Sequence, residues 1–183
     1  SIGKKARERA NRVIYFAGYK KAEDFYKREE LEEAADVLIL SVDRGEAIPA
    51  RRTTDRSFVG NIVEAMVAYA TGRLGPAEIP LSRVDRMIVI GSDRMMAAVA
   101  RARKSVLATH LKPDHVGIAS INSPMQCMMK EVCAQCLQKH RDPVTGATKE
   151  IVFSCFNQDQ LMDEMDWGHL AARLRQNTVA EKL

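Results

Sequence analysis

The sequence predicts an α/β protein, a parallel sheet with helices on both faces, carrying a small four-cysteine module after it. Three observations predict this. Short apolar runs of strand length alternate with segments of helical spacing; each run ends in a turn bearing glycine or aspartate; and all four cysteines fall between residues 127 and 155. Parallel neighbours need a crossover connection, and the intervening helices supply it.

Taken in order, residues 1–11 are polar and read as the end of a helix begun upstream, so the chain is expected to be a fragment. Residues 12–18 form a continuous apolar run ending in Gly18, as a strand buried on both faces requires. Residues 23–35 read as a helix with Phe25, Tyr26, Leu31 and Ala34 among charges, and residues 37–42 as the second strand. Asp43-Arg44-Gly45 is a turn, and residues 46–56 are a polar loop carrying Arg51, Arg52 and Arg56. A helix over 58–71, with Ile62, Met66 and Tyr69 at helical spacing, stops at Gly72. After a Gly/Pro linker the third strand is 86–90, Gly91-Ser92-Asp93 turns into a helix over 94–104, and 116–120 is the fourth strand. The spacing predicts domains over 1–120, 121–165 and 166–183, the last a helix from Leu170 anchored by Trp167 and His169.

The cysteines are ordered Cys127, five residues, Cys133, two residues, Cys136, eighteen residues, Cys155. Four soft thiolates so grouped suit one iron or zinc centre. The nearest pattern is the ferredoxin type that holds a 2Fe-2S cluster, with the first gap here one residue longer. A structural zinc site competes, although it usually uses two close pairs and only Cys133 and Cys136 are close; unliganded or disulfide-forming thiols are the third reading. Residues 140–148 read as a hairpin connection that returns 151–155 as a strand. His140 is a fifth candidate ligand, with a solvated loop histidine as the competing reading. Met125, Met128 and Met129 are read as packing around the centre.

A hydrophobic content of 46% supports a core, and the longest apolar runs are far short of a membrane span. No secretory signal opens the chain, so the expectation is a cytoplasmic protein with reduced thiols and no membrane partner. Net charge is +4 and the pI near 8.9, but 5% aromatics and no basic helix argue against nucleic acid. A dinucleotide phosphate satisfies the same charge. No serine-histidine-acid arrangement or paired-carboxylate motif is present.

In open α/β sheets, ligands bind beyond the carboxyl ends of the strands. The turns at Gly18, at Asp43-Arg44 and at Gly91-Ser92-Asp93 are therefore expected to line one crevice. The last sits at a helix start, where unpaired N–H groups and the helix dipole favour an anion. The plainer alternative is ordinary turns with capping residues.

The segment Gly91-Ser92-Asp93-Arg94-Met95-Met96-Ala97-Ala98-Val99, followed by a four-cysteine cluster, resembles the pyridine-nucleotide domain of ferredoxin-NADP reductase-like proteins. It is similar to the electron-transfer subunit of bacterial dihydroorotate dehydrogenase, to related subunits of hydrogenases and NADPH-dependent ferredoxin oxidoreductases, and to glutamate synthase small-subunit-like fusions. The resemblance implies a truncated nucleotide domain of that type, NAD(P) as cofactor, FAD on an upstream barrel, and a 2Fe-2S cluster that passes electrons to an acceptor protein or domain. It places Gly91 and Met95 at the nicotinamide, Asp43 near the adenosine ribose, and Cys127, Cys133, Cys136 and Cys155 on the cluster. Asp43 would favour NAD(H), whereas Arg44, Arg51 and Arg52 offer an alternative grip on a 2'-phosphate. Ile90 and Ser92 depart from the family's cysteine and proline. The glycine-rich turn after the family's first strand has no counterpart, so the fragment alone is expected to be inactive as a hydride-transfer enzyme. An exposed sheet edge makes a homodimer of the fragment a further expectation. The competing reading is a zinc-stapled docking or regulatory module without catalysis.

Overall fold

The computed structural model describes residues 2–121, 130–134 and 136–180, with side chains to residue 175. It divides into two compact units: residues 1–83 with 106–111, and residues 84–105 with 112–183. Instead of the single sheet expected, the described residues hold two three-stranded sheets and a two-stranded ribbon.

The first unit opens with α1 (Ile2–Glu8) and β1 (Ile14–Tyr19), followed by a short 3-10 turn over Ala22–Asp24 and α2 (Arg28–Ala34). The helix expected over 23–35 is thus broken between Asp24 and Arg28, where Lys27 takes a left-handed φ of 55°. Gly3 lets α1 lie against α2, since a Cβ there would stand 2.3 Å from the Ala34 carbonyl oxygen. Next come β2 (Val37–Val42), β3 (Arg56–Val59) and α3 (Ile62–Ala70). β2 is central, paired in parallel with β1 and β3, and all six of its residues are buried.

Helices cover both faces of this sheet. Ala17, Leu38, Leu40 and Val42 share one face by register and pack with Tyr19, Phe25 and Leu31, the last from α2. On the opposite face Phe16 meets Tyr69 of α3 edge to face, with ring centroids 5.7 Å apart, and Gly18 lies beneath Ile62. Each apolar side chain buried this way contributes roughly 1.5–3 kcal/mol. α3 ends where the sequence predicts, at Gly72 with φ +76°.

β3 replaces the end of the loop and the first residues of the helix expected over 58–71, which begins only at Ile62, because Arg56-Ser57-Phe58-Val59 does not carry an apolar run that announces a strand. Its position is set by Asp55, 4% exposed, whose Oδ1 accepts the Leu38 amide at 3.0 Å, and by Arg52, which donates to both Asp55 oxygens at 2.7 and 2.8 Å. The loop 46–56 is thereby clamped to the start of β2.

In the second unit β4 (Arg86–Ile90) leads to α4 (Asp93–Lys104), and β5 (Val116–Ser120) pairs with β4 in parallel. These ranges match the expected strands. The remaining elements are β6 (Leu137–Arg141), β7 (Thr148–Phe153), β8 (Asp159–Leu161) and α5 (Trp167–Ala180). β8 runs antiparallel on β5 and was not expected, being three residues with a single apolar side chain. Arg103 of α4 is fully enclosed: its Nε donates to His115 Nε2 at 2.8 Å and its Nη1 to Asp163 at 3.2 Å. Gly117 makes the space for it, because a Cβ there would lie 2.1 Å from that guanidinium. Among the described residues no helix is long and apolar enough to cross a membrane.

Candidate functional site

Three parallel strands of the first unit end together at Tyr19, Val42 and Val59, in register. Gly18 sits on β1 one step before this edge; a side chain there would press on Ile62 Cδ1 at 3.3 Å and Ser41 Oγ at 3.5 Å. Asp43 and Arg44 follow β2 and are exposed, with the Asp43 amide donating to the Tyr19 carbonyl at 2.9 Å. The edge thus offers a free carboxylate and a guanidinium above a strand end that has no side chain at Gly18.

Gly60 and Asn61 share this edge and were not singled out from the sequence. The Gly60 amide donates to the Val42 carbonyl at 2.7 Å, and its φ of +143° and the closeness of Phe58 and Glu64, 2.5 and 2.6 Å from a built Cβ, require glycine. Asn61 caps α3: its Oδ1 accepts the Val63 and Glu64 amides at 3.0 and 3.1 Å, and Glu64 accepts the Asn61 amide at 2.9 Å. The signal was present as Asn61 with Glu64 three residues on, a capping box.

Arg51 and Arg52, considered for a 2'-phosphate, are engaged within the fold. Arg51 bonds Glu29 and Glu32, and its hydrogen bond holds the Glu32 carboxyl below the usual range. Arg52 is committed to Asp55 and to the carbonyls of Glu32 and Ala35. Arg44 is the exposed arginine left at the β2 end.

In the second unit Gly91-Ser92-Asp93 links the end of β4 to α4. Ser92 is the N-cap, its Oγ accepting the Met95 amide at 3.2 Å, and Asp93 is the first helical residue. Met95 folds back over Gly91, where a Cβ would stand 2.2 Å from its Cε. The two residues that the resemblance assigns to the nicotinamide therefore touch one another.

The β6–β7 ribbon organises the cysteines. Leu137 lies opposite Phe153, and the Ser154 amide donates to the Cys136 carbonyl at 3.0 Å, so Cys136 and Cys155 come to the same end of the ribbon. Both are buried, at 4% and 2% exposure, whereas Cys133, three residues upstream, is half-buried. Cys133 lies between Glu131 and Ala134, which hold left-handed φ values of 56° and 57°, and the Ala134 carbonyl is tied to α5 by Arg173 Nη2 at 2.6 Å. Two non-glycine residues in that region mark a tightly coiled, strained turn. Cys127 and the three methionines near it lie outside the described residues.

Among the described residues the three thiols do not form a group with all ligand atoms within 4.8 Å of one another. A single tetrahedral zinc with Zn–S of about 2.3 Å would hold them about 3.8 Å apart. A two-iron cluster instead divides four thiolates into two pairs, which is a looser demand on their mutual distances. The donor chemistry suits such a group, and Cys136 and Cys155 stand at the same end of the ribbon. Cys155 also opens a surface depression continued by Phe156, Asn157, Gln158 and Asp159.

His140 is corrected. It lies within β6 instead of a solvated loop and is 5% exposed, its Nε2 2.7 Å from Gln160 Oε1. The turn is shorter than expected, running from Asp142, whose Oδ1 accepts the Val144 and Thr145 amides at 2.9 and 2.7 Å, to Gly146 with φ +72°.

No protein-family model matches the chain. Over 66 residues, 36% of this chain, it is 47% identical to the uncharacterized protein RP006 of Rickettsia prowazekii (strain Madrid E), but that stretch is 9% of the relative's length. Among solved structures, an NADH-dependent reduced ferredoxin-NADP oxidoreductase, determined in work on flavin-based electron bifurcation, superposes with a TM-score of 0.65 at 18% identity. The superposition covers 96% of this chain, which spans about half (51%) of that one. At that identity the likeness concerns architecture alone: the chain has the fold of part of a ferredoxin-NADP oxidoreductase.

Proposed function

We propose that this chain is the nucleotide-facing and cysteine-bearing part of a flavin-dependent NAD(P)H oxidoreductase, and that Cys127, Cys133, Cys136 and Cys155 hold a 2Fe-2S cluster. The observation that carries the reading is the β6–β7 register, which sets two buried thiols at one ribbon end with a third just upstream. The likeness to a ferredoxin-NADP oxidoreductase supports the same reading. When bound, such a cluster supplies a one-electron carrier, the complement of a flavin that receives electrons in pairs.

The chain's own residues have defined parts in this proposal. Asp43, exposed beyond β2, accepts the ribose hydroxyls of the nucleotide. With Arg51 and Arg52 occupied by carboxylates, NAD(H) is favoured over a 2'-phosphorylated nucleotide, and Arg44 is left for the pyrophosphate. Gly91, Ser92, Asp93 and Met95 form the turn that faces the nicotinamide, Met95 setting its width by resting on Gly91. Burial of Cys136 and Cys155 keeps water from the thiolates, and the left-handed turn at Ala134 aims Cys133. The partners are a flavin domain upstream and an electron acceptor, in the reducing cytoplasm. The β4 edge, with Ile88 and Ile90 exposed, supports self-association of the isolated chain.

Anaerobic purification tests this. The expected result is a coloured protein with about two irons and two labile sulfides per chain, both lost in Cys136→Ser. Colourless protein without labile sulfide would refute it, whatever zinc it carries.

A further inference from the structure

His140 occupies an unusual electrostatic position. Its neighbour Gln160 donates through Nε2 to the Asn157 carbonyl at 2.9 Å and to Ser154 Oγ at 3.0 Å. A backbone carbonyl only accepts, so the amide nitrogen faces Asn157 and the amide oxygen faces the imidazole, 2.7 Å from His140 Nε2. Nε2 must then carry the ring proton.

Among the described residues Nδ1 is left as a buried atom with no hydrogen-bond partner. It points between two carboxylates, 3.5 Å from Glu164 Oε2 and 3.9 Å from Glu150 Oε1. The three atoms lie within 4.8 Å of one another. Glu164 uses its other oxygen, Oε1, to bind Lys149 at 2.8 Å, which fixes the carboxylate with Oε2 turned to the ring. A neutral imidazole in this tautomer presents a lone pair to two carboxylate oxygens at 3.5 and 3.9 Å. Such a convergence of donors is what a cation requires.

We propose that His140 Nδ1, Glu150 and Glu164 form a binding site for a divalent transition-metal cation of the zinc class. The dimensions suit it: at metal–ligand distances of about 2.0–2.2 Å, tetrahedral ligands stand about 3.3–3.6 Å apart. The His140–Glu164 pair already meets that spacing, and Glu150, whose half-exposed side chain can adjust, closes the third side. Gln160 supplies the outer hydrogen bond that fixes tautomer and ring orientation at metal-bound histidines. One imidazole with two carboxylates selects zinc, manganese or ferrous iron over magnesium or calcium, which prefer all-oxygen shells. The exposure of Glu150, whose side chain is 53% accessible, leaves a coordination position open to solvent. The site is distinct from the cysteines: Cys136 lies just before β6, and His140 is the fourth residue of that strand, a backbone separation of about 13 Å if the chain between them is extended.

Full-length protein labelled with ¹⁵N-histidine tests this, with Zn²⁺ alone as the probe and the His140 Nδ1 resonance as the readout, so that zinc held by thiolates does not register. Zn²⁺ should shift the Nδ1 resonance toward that of a metal-bound nitrogen, with saturation at one equivalent. Glu150→Gln, at an exposed position that leaves the fold intact, should weaken this response at least about tenfold, the scale of effects of ligand-sphere changes. The proposal is overturned if Nδ1 carries a proton and keeps it at millimolar Zn²⁺, the group then being an imidazolium bridging two carboxylates. It is equally overturned if Glu150→Gln responds as the wild type does.

Discussion

Asp55 is the point at which a single carboxylate holds a loop to a strand, and its removal has a calculable cost. In Asp55→Ala the Leu38 amide, on a strand with no solvent access, loses its acceptor at 3.0 Å, and Arg52 loses a two-point contact at 2.7 and 2.8 Å. A buried unsatisfied amide costs about 1–3 kcal/mol, and breaking a buried ion pair about 3–5 kcal/mol. The upper end of that range does not apply. The Arg52 side chain is 31% exposed, so water reaches it, and it keeps the carbonyls of Glu32 and Ala35 at 2.7 and 2.9 Å. The expected loss is therefore about 3–4 kcal/mol, a large part of the 5–15 kcal/mol typical of a domain. Asp55→Asn retains an oxygen for Leu38 and gives up only the charge, so about 1–2 kcal/mol is expected. Urea unfolding followed by far-ultraviolet circular dichroism, with amide exchange at Leu38, measures both. A loss under about 1 kcal/mol in the alanine variant, or equal losses in the two, would refute the assignment of Asp55 as acceptor to both strand and arginine.

Gly117→Ala should cost more than about 2 kcal/mol, because the added methyl displaces the enclosed Arg103 from His115 and Asp163; combined with Arg103→Met, the two losses should fall short of their sum by at least about 1 kcal/mol, and strict additivity in a double-mutant cycle would show that they do not meet. The His169 pKa is lowered, chiefly by burial and against the pull of Asp166, with Nδ1 accepting the Lys139 amide at 3.4 Å. The unfolded chain, with a histidine pKa of about 6.5, then binds the proton more readily, so this contribution is complete above that value and is lost as pH falls from it through the lowered folded pKa. His169→Gln should flatten the stability profile across that window in denaturant titrations at several pH values, and an unchanged slope would sink the assignment.

The elements legible in the sequence were those whose own residues carry the pattern. Residues 37–42 are apolar throughout because β2 is buried on both faces, and 86–90 and 116–120 were found to the residue for a related reason, a short apolar run between turn signals. The turn residues Asp43 and Gly91 were likewise legible, as punctuation after such runs, whereas Gly18, read as a turn, lies within β1, which runs on to Tyr19. What could not be read was set by distant partners. β3 exists because Asp55 and Arg52 lock its entry to β2, and the carboxylates that engage Arg51 and Arg52 arrive from α2 and from the loop itself, which no local pattern announces. Histidine in a polar stretch resembles a solvated loop until a second strand and a buried amide enclose it, as happens to His140.

Gln160 joins these observations. It belongs to β8, a strand with too little apolar character to be placed by burial, yet it is 3% exposed and pairs with Ala119 of β5. Its amide reaches into the β6–β7 ribbon, accepting from His140 of β6 and donating to Ser154, the residue between β7 and Cys155. The three-residue strand is therefore held by what its central side chain satisfies. Replacing that amide by a leucine of similar size would leave the His140 ring N–H and the Ser154 hydroxyl unpaired at once, both buried, and would release the Asn157 carbonyl. Because successive residues of a strand face opposite ways, Cys136, Gln138 and His140 lie on one side of β6, and a slip of one residue would turn all three outward. The hydrogen bonds of Gln160 at both His140 and Ser154 oppose that slip, so the same buried amide fixes the orientation of the histidine and the register that sets Cys136 opposite Ser154.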